Sequence, residues 1–172
     1  MKRFQKFNLL VLIVTVVLVT FSSCYKNFPC HSCSKLCNSS IKDFEIPEKS
    51  ISFITGKNYF VKNTYDNQEV QTLKIETQEQ FEKIFGPATL MGGNGVPTEI
   101  NFDTQFIIAI VDTISSYKEI CMQPMYLVYE NDDLVLHYQK TIGEDMTSTM
   151  RNKIISIVDK KFAGNVKSEV HL

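Results

Sequence analysis

The sequence predicts an α+β fold, a single mostly antiparallel β-sheet domain with one short helix packed on it, behind an export signal and a tether. Apolar residues alternate, or run in strand-length stretches, between clusters of turn-forming residues from about residue 58 onward. One Thr-x-x-Gln capping signature opens one helical stripe, and the first fifty residues show neither pattern.

Tyr59-Phe60-Val61-Lys62-Asn63 and Val70-Gln71-Thr72-Leu73-Lys74-Ile75 flank the polar Asp66-Asn67-Gln68, which predicts a hairpin. Thr77-Gln78-Glu79-Gln80 caps a helix that carries Phe81, Ile84 and Phe85 on one face, and Gly86-Pro87 stops it. Phe106-Ile107-Ile108-Ala109-Ile110-Val111 is apolar without alternation, so this strand is expected at the centre of the sheet, buried on both faces. A second hairpin is expected where Tyr126-Leu127-Val128-Tyr129 and Leu134-Val135-Leu136-His137-Tyr138 flank Glu130-Asn131-Asp132-Asp133. Ile154-Ile155-Ser156-Ile157-Val158 also fits a helical stripe, but its β-branched residues favour a strand. A last strand from Val166 to Val170 is expected to close an antiparallel sheet.

The first residues are of another kind. Lys2, Arg3 and Lys6 precede an apolar run from Leu9 to Phe21, the layout of a secretory signal. The run falls short of the roughly 20 residues that span a hydrocarbon core. It ends in Thr20-Phe21-Ser22-Ser23-Cys24, which resembles a bacterial lipobox with Phe21 as an atypical member. Residues 1–23 are therefore expected to be cleaved and Cys24 to carry the lipid, several acyl chains giving a durable anchor where one chain would not. Residues 24–50, rich in Ser, Asn, Lys and Cys, read as a tether, and residues 51–172 as one domain. No acidic cluster follows Cys24, which favours an outer-membrane position facing the periplasm over the cell surface.

Loss of the three basic residues leaves 15 Lys and Arg against 19 Asp and Glu, with Arg151 the only arginine. A mildly acidic chain without a basic cluster lacks what phosphate contacts need, so nucleic acid is not an expected partner. No G-x-S-x-G or H-E-x-x-H signature occurs, and the chain is expected to be non-enzymatic and to use no cofactor.

Cys30-His31-Ser32-Cys33 and Cys37 form a C-x-x-C-x-x-x-C array in the tether. Thioredoxin-like chemistry would need a preceding strand, which is missing, and a metal site would need a fourth ligand from His31 or Cys121. The favoured reading is structural: with Cys24 lipidated, Cys30, Cys33, Cys37 and Cys121 form an even set in an oxidising compartment, open to three pairings. His31, His137 and His171 are dispersed, and each is expected to be a surface or satisfied histidine. The loop Gly92-Gly93-Asn94-Gly95-Val96-Pro97 lacks the Lys-Ser/Thr of a phosphate-binding loop and reads as a connection with the capacity to touch a partner.

The helix Gln80-Phe81-Glu82-Lys83-Ile84-Phe85-Gly86, the segment Pro97-Thr98-Glu99-Ile100-Asn101-Phe102-Asp103, and Ile157-Val158-Asp159-Lys160-Lys161-Phe162 give the stretch from about Leu73 to Glu169 a resemblance to a family of small lipoproteins of anaerobic gut bacteria. More distantly it is similar to the β-rich C-terminal domain of accessory lipoproteins that stabilise a bacterial trypsin-like protease complex. Those domains commonly carry Gly-Gly after the aliphatic strand, where this chain has Thr113-Ile114-Ser115-Ser116-Tyr117-Lys118-Glu119. The resemblance implies a fold and a protein partner, a protease among the candidates, and no catalytic residue. The expected function is a membrane-anchored binding or accessory module for another envelope protein. The alternatives are a protease inhibitor using the 92–97 loop, and a thiol or metal protein using Cys30, Cys33 and Cys37.

Overall fold

The computed structural model describes residues 45–88, 95–115, 117–162 and 164–172. Its elements are β1 (Ile54–Thr55), β2 (Tyr59–Val61), β3 (Gln71–Ile75), α1 (Gln78–Ile84), β4 (Phe85–Pro87), β5 (Gln105–Ser115), β6 (Lys118–Glu130), β7 (Asp133–Asp145), β8 (Met150–Asp159) and β9 (Asn165–His171). The chain is thus mostly β with one short helix among the described residues.

The central strand is where the apolar run places it. β5 lies between β8 and β3 in a four-stranded sheet of order β1-β8-β5-β3. Because side chains alternate along a strand, Phe106, Ile108 and Ile110 enter one core while Ile107, Ala109 and Val111 enter another, and all six are at most 2% exposed. Burying each of the larger ones contributes about 1.5–3 kcal/mol.

The expected single sheet is not what forms. The strands separate into the four-stranded sheet, a three-stranded sheet β6-β7-β9 and a two-stranded ribbon β2-β4. The reason is the number of apolar faces. β5 offers two, and the β6-β7 hairpin offers a third through Leu127, Leu134 and Leu136. One seven-residue helix cannot cover that area, so the hairpin folds over the four-stranded sheet and buries Leu127, Leu134, Leu136 and Tyr138 against Ile108, Ile110, Ile154 and Val158. The opposite face of the four-stranded sheet is covered by α1 and the ribbon, with Phe81 packed against Tyr59 and Phe85 at ring separations of 5.0 Å.

α1 begins as its capping signature requires: Thr77 Oγ1 accepts from Gln80 N at 3.2 Å, and Gln80 Oε1 reaches back to accept from Glu76 N at 2.9 Å. The first expected hairpin is corrected. β2 pairs with β4 and β3 pairs with β5. The turn between them is held elsewhere, since the buried Asn67 donates its side-chain amide to the carbonyls of Glu69, Val111 and Asp112 and so anchors the turn on β5 where its register shifts. β2 finds its partner in β4 because Phe60 lies over Gly86, where a Cβ would come within 2.7 Å of the ring.

The second hairpin forms as expected. β6 and β7 are joined at Asn131-Asp132, both in the left-handed region (φ 50° and 68°), the geometry of a tight two-residue turn. The terminal strand also forms, but β9 joins β7 in parallel, from Asp133↔Asn165 to Gln139↔His171, against the antiparallel expectation. The chain leaves β7, crosses to the other sheet as β8, and returns running in the direction of β7. Thr72 and Ser168 hydroxyls, 2.6 Å apart, link the edge of one sheet to the edge of the other.

Two-sided burial of β5 makes a specific prediction. Ile107→Ala and Ile108→Ala should each cost about 2–5 kcal/mol in urea unfolding, although their side chains enter different cores; a large cost at only one position would contradict this layering.

Candidate functional site

In β7, Leu134, Leu136 and Tyr138 face the core between the sheets, so His137 points from the outer face of the three-stranded sheet. It is nevertheless only 3% exposed. Polar and aromatic groups from all three strands surround it. From β6, Tyr126 stacks on the imidazole with centroids 4.2 Å apart and planes 12° from parallel, and Glu130 Oε1 lies 2.9 Å from His137 Nε2. From β9, His171 Nε2 lies 3.0 Å from His137 Nδ1. Glu169 is the register partner of His137, and its carboxylate completes a set with the two histidines in which one ligand atom from each lies within 4.8 Å of the others.

Each strand supplies its part for a local reason. Tyr126 is the register partner of His137, placed there by the irregularity between Pro124 and Tyr126, and the tight turn at Asn131-Asp132 brings Glu130 back over the same face. Glu169 and His171, two apart on β9, share a face by strand alternation. Lys167 pairs with Asp133 and pins the start of β9 to β7, the hydrogen bond from Lys167 holding the Asp133 carboxyl below its usual range. Burial raises the Tyr126 phenol above its usual pKa, and the Glu130 and Glu169 carboxylates raise it further. His137 is closed in at the base of the cluster, His171 is half-buried and Glu169 is exposed, so the cluster opens to solvent on the β9 side.

The residues singled out from sequence fare differently. Cys24, Cys30, His31, Cys33 and Cys37 lie outside the described residues, as do Gly92, Gly93 and Asn94 of the loop. Gly95 is buried, Pro97 is half-buried, and Val96 is 75% exposed. The backbone here is tied down: Asn58 Nδ2 donates to Val96 O at 2.8 Å, Lys57 N donates to Thr98 Oγ1 at 3.0 Å, and Tyr59 OH donates to Thr98 O at 2.6 Å. Cys121 is buried and disulfide-bonded, and its partner lies outside the described residues. Its neighbour Met122 enters the inter-sheet core, which turns Cys121 to the outer face that also carries Tyr126 and His137. His137 and His171, dispersed in sequence, meet in the structure. The alternating strand position of His137 is legible in the sequence; the extension of the last strand to His171 and the parallel direction of β9 are not.

Two other charged groups are notable. Asp112, 1% exposed, pairs with Lys140 across the sheets at 2.7 Å and accepts a hydrogen bond from Thr113 N at 2.9 Å. Lys153, partly buried on β8, has its ammonium pushed below the usual lysine range by burial. Surface concavities of about 210 Å³, beside Val61 and Arg151, and about 330 Å³, beside Gln78 and Phe102, lie away from the histidine cluster.

The fold and site define a layered β protein with a two-histidine, two-carboxylate cluster on the outer face of its smaller sheet. No protein-family model, no curated protein and no solved structure matches the chain.

Lys140→Met should destabilise the domain by about 3–5 kcal/mol, because it leaves the Asp112 carboxylate buried without its cation, and Asp112→Leu combined with Lys140→Met should recover much of that loss in thermal unfolding. The lowered Lys153 pKa sets a sign for pH dependence. The folded chain holds the Lys153 proton less tightly than the unfolded chain, so this residue's penalty is greatest at neutral pH and fades as pH rises towards the ordinary lysine value. Lys153→Met should therefore raise stability most at neutral pH, and unfolding curves taken from neutral pH into the alkaline range should show the gain shrinking.

Proposed function

We propose that the mature chain is a lipid-anchored, non-enzymatic binding module of the bacterial cell envelope, acting as an accessory to another envelope protein, and that it is related to the small lipoproteins its sequence resembles. The binding part rests on one observation. At the end of the sandwich where β5 gives way to β6, Ile114, Tyr117 and Ile142 are 57%, 58% and 59% exposed. Tyr117, in the left-handed region at φ 58°, turns the chain, Ile142 is the register partner of Ile120 near the start of β6, and Ile114 borders Val61 and Arg151. Met146 N donates to Tyr117 O at 2.7 Å and ties the end of β7 to this turn. Large apolar side chains left exposed on a hydrogen-bonded frame suit contact with another protein.

The envelope part rests on the signal-like residues 1–23, the lipobox-like approach to Cys24, and the tether-like composition of residues 24–50. The Cys121 disulfide supports it, since such bonds persist in oxidising compartments outside the cytoplasm. The lack of an acidic cluster after Cys24 supports an outer-membrane position facing the periplasm.

A second reading has its own support. Val96 is an exposed apolar side chain on a backbone pinned at Asn58, Lys57 and Tyr59, the kind of anchored segment that a protease inhibitor offers to an active site.

Cys24→Ala should abolish incorporation of labelled palmitate and move the chain from the membrane to the soluble fraction; a membrane-bound, unlabelled wild type would refute the anchor. A chain with Ile114→Ser, Tyr117→Ser and Ile142→Ser should lose the envelope partner that cross-links to the wild type. If that partner stays and Val96→Asp instead removes it together with inhibition of a trypsin-like protease, the inhibitor reading replaces the accessory one.

A further inference from the structure

We infer that His137, His171 and Glu169 form a binding site for a divalent transition-metal ion, with zinc the ion that the donor set suits. This goes beyond the binding reading above and does not depend on it.

The hydrogen bonds of His137 decide which of its nitrogens is available. Glu130 Oε1 lies 2.9 Å from Nε2, and a carboxylate only accepts, so Nε2 carries the proton and donates it. In the neutral imidazole Nδ1 is then a bare lone pair, and it faces His171 Nε2, 3.0 Å away. In the metal-free chain His171 Nε2–H fills that lone pair. A metal ion takes the place of this shared proton: His171 passes to its Nδ1–H tautomer by exchange with solvent, both nitrogens present lone pairs to one point, and no net proton is released. Zinc bonds to imidazole of about 2.0–2.1 Å place two ligand nitrogens of a tetrahedron roughly 3.3 Å apart. The two atoms need to separate by a few tenths of an ångström, and the rings to turn so that both lone pairs meet at the ion.

The third ligand is in place. Glu169 sits beside His137 in the parallel register, two residues before His171 on the same face, and its carboxylate lies within 4.8 Å of one ring nitrogen of each histidine. Glu130 does not reach the ion. It is a positioning residue, holding His137 in the tautomer that ligates, which is the carboxylate–histidine–metal arrangement common at zinc sites. Tyr126, stacked flat on His137, fixes the ring plane. Two imidazoles and one carboxylate favour zinc over the oxygen-seeking calcium and magnesium. The exposed Glu169 gives the ion an entry path from solvent and leaves a fourth position for water.

The site differs from the Cys30, His31, Cys33 and Cys37 array in both residues and donor chemistry, and the experiment separates the two. Tag-free mature chain, stripped with a chelator, is titrated with zinc by calorimetry, and its cobalt form is examined by visible absorption. One zinc should bind per chain, and cobalt should give ligand-field bands without a thiolate-to-cobalt charge-transfer band. Glu169→Gln and His171→Asn, both on the edge strand, should each weaken zinc binding by about tenfold or more. They should also remove the rise in thermal midpoint that zinc gives the wild type, each variant being compared with its own metal-free midpoint. Glu130→Gln should weaken binding while the stoichiometry stays at one. No zinc bound, zinc binding unaltered by Glu169→Gln and His171→Asn, or a thiolate charge-transfer band would each overturn the assignment.

Discussion

The parallel pairing of β9 with β7 is the contact on which the site depends. Residues 165 to 171 run beside residues 133 to 139 with their numbers rising together, so Glu169 falls next to His137 and His171 one pleat further on. Reversal of β9 over the same span would carry His171 to the Asp133 end of the strand, several residues from His137. Parallel neighbours cannot be joined by a tight turn. Here the connection is β8, which crosses into the other sheet and pairs with β5 before the chain returns. The histidine cluster on the outer face is thus a product of the sandwich itself, because only a second sheet gives β8 somewhere to go.

That second sheet exists because β5 is apolar on both sides. Its six residues from Phe106 to Val111 supply two cores at once, one closed by α1 and the β2-β4 ribbon and the other by the β6-β7 hairpin. The Asp112–Lys140 pair marks where the inter-sheet core ends and charge begins. Burial of Tyr138, and after it the Asp112 charge, raises that phenol above its usual pKa, which shows how close carboxylate and aromatic core lie. Beyond this point β6 and β7 continue, and Ile142 stands exposed with Ile114 and Tyr117. The outer face of the smaller sheet carries the histidine cluster.

Local signals in the sequence were reliable where local physics decides the outcome. The Thr77 cap, the Asn131-Asp132 turn, the unbroken apolar run of β5 and the strand character of Ile154 to Val158 all stand as read. Non-local pairings were not legible. Nothing about Tyr59 to Val61 indicates that Phe60 needs a glycine beneath it from residue 86, or that Asn67 would hold β5 where its register shifts rather than close a hairpin. The candidate site shows the same limit. Glu169 and His171 alternate correctly on a strand, and so does His137, but strand direction depends on where β8 packs. The closely spaced cysteines are what the sequence shows as metal ligands, while the imidazoles that meet are 34 residues apart, at His137 and His171.

Strand direction can be measured without reference to any ligand. Nuclear Overhauser contacts between the backbone protons of β7 and β9 in the isotopically labelled chain report it directly. The parallel arrangement predicts contacts that advance together, Leu136 with Ser168 and Tyr138 with Val170, with ring-proton contacts between His137 and His171. Contacts that advance on one strand and retreat on the other, or His171 ring protons near Asp133 instead of His137, would contradict the fold and the cluster together.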